Sequence, residues 1–202
     1  GYWIDVERRT TINGLFAAGD IAGGAPKKYV SGAWVEGKIA ARAAIEEVKG
    51  IELQRVNSKE VRKEKERISS FMNDKNGIPP AELEQTFHKV MDEYAGGATK
   101  NYELLESKLI IARKKIRELT GKLEFLSAKN RHELVSCLEL IDRFDVAKVL
   151  IEHLIYRQET RWPCYQSRVD FPKRNDINWL KFINSVYDPV DNRLTIVERP
   201  LK

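Results

Sequence analysis

Cysteine and histidine are scarce in this 202-residue chain, which has two of the first, Cys137 and Cys164, and three of the second. No C-x-x-C pair and no Cys/His cluster occurs, which argues against a zinc or iron–sulfur centre made by this chain and fits a reducing compartment. No apolar run approaches the ~18 residues of a membrane span, and no leader-like segment opens the sequence. A purely basic segment is also missing, although the net charge is +5 and the pI about 9.1. Lys59–Arg67 interleaves three glutamates with its basic residues. They pair at helical spacing, as on a solvated helix face, and this argues against nucleic acid as a partner. The expectation is a cytoplasmic protein. Gly1 is not a start methionine, and Tyr2–Val6 already reads as a strand, so the chain reads as starting inside a domain.

What is present falls into three zones, expected at 1–50, 51–157 and 158–202. The first is glycine-rich and strand-like, with Leu15–Ala18 as a short buried strand between Gly14 and Gly19, then helical over Gly32–Val48. Trp34, Ile39, Ala40, Ala43 and Ala44 form that helix's compact face, and Gly50 is its stop. The second zone is all helical. One helix starts at Ser58 and ends near 73–77; a second opens at Pro79-Pro80 with Leu83, Phe87, Val90, Met91 and Tyr94 inward. Leu105, Leu109, Ala112, Ile116, Leu119, Leu123 and Leu126 then recur in steps of four and three, an a/d seam of about three heptads. A fourth helix carries Leu134, Cys137, Leu138, Ile141, Phe144, Ala147, Ile151, Leu154 and Ile155. An antiparallel bundle accounts for this zone without any chemistry, and His88, His132 and His153 fit structural or exposed helix positions. In the third zone prolines and aromatic residues dominate, and Asp188–Asn192 between Asn184–Tyr187 and Leu194–Glu198 reads as a β-hairpin.

Thr11-Ile12-Asn13-Gly14-Leu15-Phe16-Ala17-Ala18-Gly19-Asp20 is the stretch that carries chemistry. A strand end fixes the Asp20 carboxylate, Gly19 permits close backbone approach, and an anion accepts hydrogen bonds from sugar-like hydroxyls. The helix from Gly32 presents free N–H groups at its N-terminus, which favour negative charge. The stretch resembles the second flavin-contacting motif of FAD enzymes with two dinucleotide-binding domains. Its continuation, Gly19-Asp20-Ile21-Ala22-Gly23-Gly24-Ala25-Pro26-Lys27-Lys28-Tyr29, then Ser31-Gly32 and Glu36-Gly37-Lys38-Ile39-Ala40-Ala41, is similar to the fumarate reductase/succinate dehydrogenase flavoprotein family. Glu159-Thr160-Arg161-Trp162-Pro163, Asp170-Phe171-Pro172 and Asn178-Trp179 are similar to the C-terminal region of its adenylylsulfate reductase-like branch. Succinate dehydrogenases carry glutamate at the position of Asp20 and Glu-Ser-Arg-Gly-Ala-His at the position of Glu159–Cys164, so dicarboxylate oxidation is not the reaction the resemblance favours.

The resemblance covers the family's C-terminal third. It implies an α+β chain: a remnant of an FAD-binding α/β domain, an antiparallel helical bundle, and a C-terminal aromatic tail with a hairpin. It implies an FAD-dependent oxidoreductase subunit that exchanges electrons through flavin with an iron–sulfur protein subunit and acts on a small anionic substrate. The cofactor contacts it implies are Gly19, Asp20, Ser31, Gly32 and Ala33. Asp20 reads alternatively as a turn cap, Ser31 as an ordinary N-cap, and Lys27 and Lys28 as solvated rather than anion-attracting. Arg161 reads as a brace beside Trp162, with a catalytic contact as the lesser alternative; Trp34 reads as packing. The twelve glycines include no G-x-G-x-x-G, and the family's capping domain has no counterpart here, so the chain alone is expected to be inactive. Two other readings stand beside this one: a non-catalytic helical module that docks a partner subunit, and a flavoenzyme like L-aspartate oxidase.

Overall fold

The computed structural model describes residues 1–24, 29–52, 55–73 and 76–201. The chain divides into two compact units, Gly1–Val56 and Asn57–Lys202. Lys27 and Lys28 lie outside the described residues.

In the first unit the expected strands shrink to isolated bridges, Tyr2 with Ala22 and Arg9 with Phe16. A strand needs a ladder partner, and here each segment finds one or two bonds: Tyr2 N–H donates to the Ile21 carbonyl (2.7 Å), and Ala17 N–H to the Arg8 carbonyl (3.0 Å). One helix follows, α1 (Val30–Val48). Glu36, Ala40 and Ala43, spaced four and three apart, form its buried face, and the two alanines allow close approach. Trp34 contradicts the packing expectation, being 78% exposed. Two residues before Glu36, it sits about 200° around the helix from the buried face.

The second unit begins with α2 (Ser58–Ser70), capped by Asn57, whose side chain accepts the Lys59 N–H. Charge surrounds this helix on all sides and none of its residues is buried; only Phe71, just past its end, joins the core. The bundle is therefore three helices, α3 (Pro80–Tyr94), α4 (Glu106–Thr120) and α5 (Arg131–Tyr156). Pro80 is pre-set for the first helical position, where its missing N–H costs nothing. Asn130 caps α5 by accepting the Glu133 N–H (3.0 Å), while the Glu133 carboxylate accepts the Lys129 N–H (2.9 Å). Leu83, Phe87 and Val90 meet Ala112, Ile116 and Leu119 and, from α5, Cys137, Leu140, Phe144, Ala147 and Ile151. The Phe87 and Phe144 rings stand 4.8 Å apart. Leu140, buried here, was absent from the inward face read from the sequence. The heptad seam also runs further in the sequence than the helix does. Gly121 ends α4, and a 3-10 turn at Leu123–Phe125 brings Leu126 back to the core.

Two short strands, β1 (Glu103–Leu104) and β2 (Ser167–Arg168), pair in parallel. After a one-turn helix, α6 (Asp176–Trp179), β3 (Lys181–Asp188) and β4 (Arg193–Pro200) form an antiparallel hairpin with Lys181 opposite Pro200 and Asp188 opposite Arg193. The fold thus mixes helices and strands. Among the described residues no helix is long and apolar enough to cross a membrane.

One turn in this unit yields a sharp test. A Cβ at Gly97 would lie 2.2 Å from Asp92 Oδ1 and 2.3 Å from Asp92 Cα. The backbone atom cannot yield as a side chain can, and Asp92 also holds the turn by accepting the Thr99 N–H (3.2 Å). Gly97→Ala is expected to cost about 1–3 kcal/mol, as overpacking does; thermal unfolding measures it.

Candidate functional site

The first site is built where the Gly19–Asp20 turn meets the start of α1. Ala18 leaves the preceding segment with extended backbone (φ −138°, ψ 153°). Gly19 then turns into the left-handed region at φ +72° and opens a 3-10 turn over Gly19–Ile21. Glycine is required there twice over. L side chains avoid that φ, and a Cβ would come within 3.1 Å of the Ala33 Cβ in the first turn of α1. Gly19 is buried, and Asp20 is exposed on the turn.

At the mouth of α1 the N-cap position is Tyr29, which makes no side-chain cap, and the first turn holds no acidic residue. Ser31 is accordingly the second helical residue and not the cap. The Ala33 N–H donates to the Tyr29 carbonyl (2.8 Å), so the N–H groups of Val30, Ser31 and Gly32 are the ones left at the helix end. Gly19 therefore lies close against the first turn of α1 at Ala33, the turn that also holds Ser31 and Gly32. The arrangement combines a carboxylate acceptor, helix-end donors and backbone bare enough for close approach. It suits a polyhydroxylated ligand with negative character.

An ion pair that the sequence did not reveal braces this unit. Glu36 is 3% exposed, and Arg8 donates to both of its oxygens, Nη2 to Oε1 at 2.9 Å and Nε to Oε2. Hydrogen bonding to Glu36 raises the Arg8 pKa. One available signal was Glu36 itself, a charged residue in phase with Ala40 and Ala43.

Arg161 lies in the second unit, in a cleft of about 290 Å³. Its Nε donates to Glu159 Oε1 (2.7 Å), its Nη2 to Glu159 Oε2 (2.9 Å), and its Nη2 also pairs with Asp176 (2.9 Å). Arg157 donates to the same Glu159 and to the carbonyls of Trp179 (3.0 Å) and Lys181 (3.2 Å). Burial pushes the Glu159 carboxyl up, but hydrogen bonds from Arg161, the Asn175 N–H and Arg157 outweigh it and hold it below the usual range. His153, half-buried in the lining, has its pKa lowered by burial.

Arg168, also in the lining, is 2% exposed. It pairs with Asp170 through two bonds of 2.8 Å and donates to the carbonyls of Leu154 (2.6 Å) and Arg157 (2.9 Å) at the end of α5. Asp170 in turn accepts the Glu106 N–H (3.0 Å) at the start of α4. Asp170 belongs to the Asp170-Phe171-Pro172 motif, but no spacing in the chain points to this clamp. Among the described residues no group of three His, Cys, Asp or Glu could hold a metal ion.

Residues 84–202 match the model of the family described as fumarate reductase flavoprotein C-term. Over 208 aligned residues the chain is 28% identical to adenylylsulfate reductase subunit alpha of Megalodesulfovibrio gigas, covering 96% of this chain and 31% of that protein. It is 28% identical to an uncharacterized FAD-dependent oxidoreductase of Methanocaldococcus jannaschii, covering 87% of this chain and 32% of the other. The solved adenylylsulfate reductase of Archaeoglobus fulgidus superposes with a TM-score of 0.89 at 33% identity, covering 96% of this chain and 33% of that one. The chain spans about a third of the length of these relatives.

Proposed function

The chain belongs to the fumarate reductase flavoprotein C-terminal family, and on that premise we propose that it is the C-terminal part of an FAD-dependent oxidoreductase subunit of the adenylylsulfate reductase-like branch. The observation that carries the proposal is the close approach of Gly19 to the first turn of α1, where an added Cβ would lie 3.1 Å from the Ala33 Cβ. It sets the Asp20 turn against the mouth of α1, where Tyr29 makes no side-chain cap. A methyl group at position 19 would press on the Ala33 Cβ at 3.1 Å, so only glycine lets the turn that carries Asp20 lie this close to the helix mouth.

In this reading Asp20 accepts hydrogen bonds from the ribityl hydroxyls, and Gly19 lets the backbone come close. The N–H groups of Ser31 and Gly32 favour negative character on the part of the flavin beside them. When bound, FAD supplies the electron-transfer chemistry. The chain's own residues bind and orient it. Electrons pass to or from an iron–sulfur partner subunit, a reading supported by the subunit name of the Megalodesulfovibrio relative and by the lack of a cluster motif in this sequence. The substrate is a small anion held by residues outside this chain.

Flavin content tests the proposal. The full-length subunit is expected to purify yellow with about one flavin per chain, and the 202-residue chain colourless. A colourless full-length subunit that cannot be reconstituted with FAD overturns it. So does a 202-residue chain that keeps stoichiometric flavin.

A further inference from the structure

The cleft around Arg161 has features that flavin binding leaves unused. It lies wholly within the second unit. Arg157 and Arg161 share one carboxylate, Glu159, whose side chain is fully buried. The second acid of Arg161, Asp176, is itself shared with Arg174 (2.8 Å). Three guanidinium groups therefore face two carboxylates, and one positive charge is left over. Glu159 has no acceptor capacity to offer a ligand, because it also takes the Asn175 N–H (3.0 Å).

The unused groups here are mainly donors. Among the described residues nothing engages Arg161 Nη1, and neither the Trp162 indole N–H nor the Gln166 side-chain amide has a partner. Trp162 is 65% exposed, in the lining with Gln166. Leu104, Leu150, Leu154 and Ile183 make much of the remaining lining apolar. A network with one surplus positive charge and unused N–H donors in the lining selects a single negative charge. Apolar walls select the body that carries it.

We propose that this cleft binds a small organic acid with one carboxylate on an apolar body, the carboxylate set against Arg161 and the donors of Trp162 and Gln166. A dicarboxylate is disfavoured, since its second charge would meet leucine and isoleucine side chains. The proposal does not depend on the flavin reading.

Isothermal titration of the full-length, FAD-loaded subunit tests it, with benzoate as the probe. Benzoate is expected to bind saturably at one site, with the neutral isostere benzamide and the dicarboxylate phthalate each at least tenfold weaker. Arg161→Gln is expected to weaken benzoate about tenfold or more. Because that change also removes a partner of Glu159, Trp162→Ala serves as the second variant. Trp162 lies outside the ion network, so its loss is expected to weaken benzoate severalfold without lowering the melting temperature. Three results overturn the proposal: no saturable benzoate binding, benzamide binding as tightly as benzoate, or benzoate affinity unchanged in Trp162→Ala.

Discussion

Asp20→Ala in the full-length subunit is expected to weaken FAD binding about 10- to 100-fold. Hydrogen bonds to a charged group contribute about 1.5–3 kcal/mol, and each 1.4 kcal/mol is tenfold in affinity. Asp20 is exposed on its turn and lies outside the buried core, and thermal unfolding of the variant reads any cost to the protein itself. Asp20→Asn keeps a hydrogen-bonding oxygen but loses the charge, and its effect should fall between wild type and alanine. Gly19→Ala tests the same site from the backbone side. It forces an L residue to φ +72° and sets a methyl group 3.1 Å from the Ala33 Cβ. FAD affinity should fall there too, now with a lower melting temperature. Equilibrium titration of the apoprotein with FAD, alongside thermal unfolding, separates the two effects.

The largest loss of stability is expected for Arg168→Ala. This guanidinium ties the end of α5, the start of α4 and the β1–β2 pair through Asp170. Its removal leaves Asp170, which is 19% exposed at its side chain, without its cation, and two carbonyls without a donor. Breaking such a pair costs about 3–5 kcal/mol, which corresponds to roughly 10 °C in melting temperature for a unit of this size. The double variant Arg168→Met with Asp170→Leu should recover much of the loss, because no charge is then left buried alone. The pair also fixes an acid limit. Hydrogen bonding from Arg168 holds the Asp170 carboxyl below the usual range, against burial. A depressed folded pKa means that its contribution is complete above the unfolded value of about 3.9. The contribution is lost as pH falls from there through the folded value. Asp170→Asn should therefore flatten the fall of stability with acid in that window.

These residues also mark what could be read in the chain beforehand. Periodic apolar spacing revealed α3 and α5, because burial on one face imposes the period directly, and the turn residues Asp188–Asn192 revealed the hairpin. The same signal overran α4. Leu123 and Leu126 stay in phase past Gly121 although the helix has ended, since a 3-10 turn returns them to the same core. The strands read at Tyr2–Val6 and Leu15–Ala18 are single bridges: apolar alternation sets which side chains are buried, but ladder pairing depends on a partner that local sequence does not specify. The Gly19–Asp20 turn was legible because its chemistry is local, a glycine forced by φ and an acid beside it. The Arg8–Glu36 and Arg168–Asp170 pairs were not. The first joins residues 28 apart, and the second gains its meaning from contacts to α4 and α5 that no spacing announces.

The most direct measurement is the structure of the full-length subunit with FAD bound. A ribityl hydroxyl is expected within hydrogen-bond distance of the Asp20 carboxylate, with the flavin ring beside the first turn of α1 at Ser31–Ala33. A structure with Asp20 turned to solvent and the flavin held away from both Gly19 and α1 contradicts the proposal.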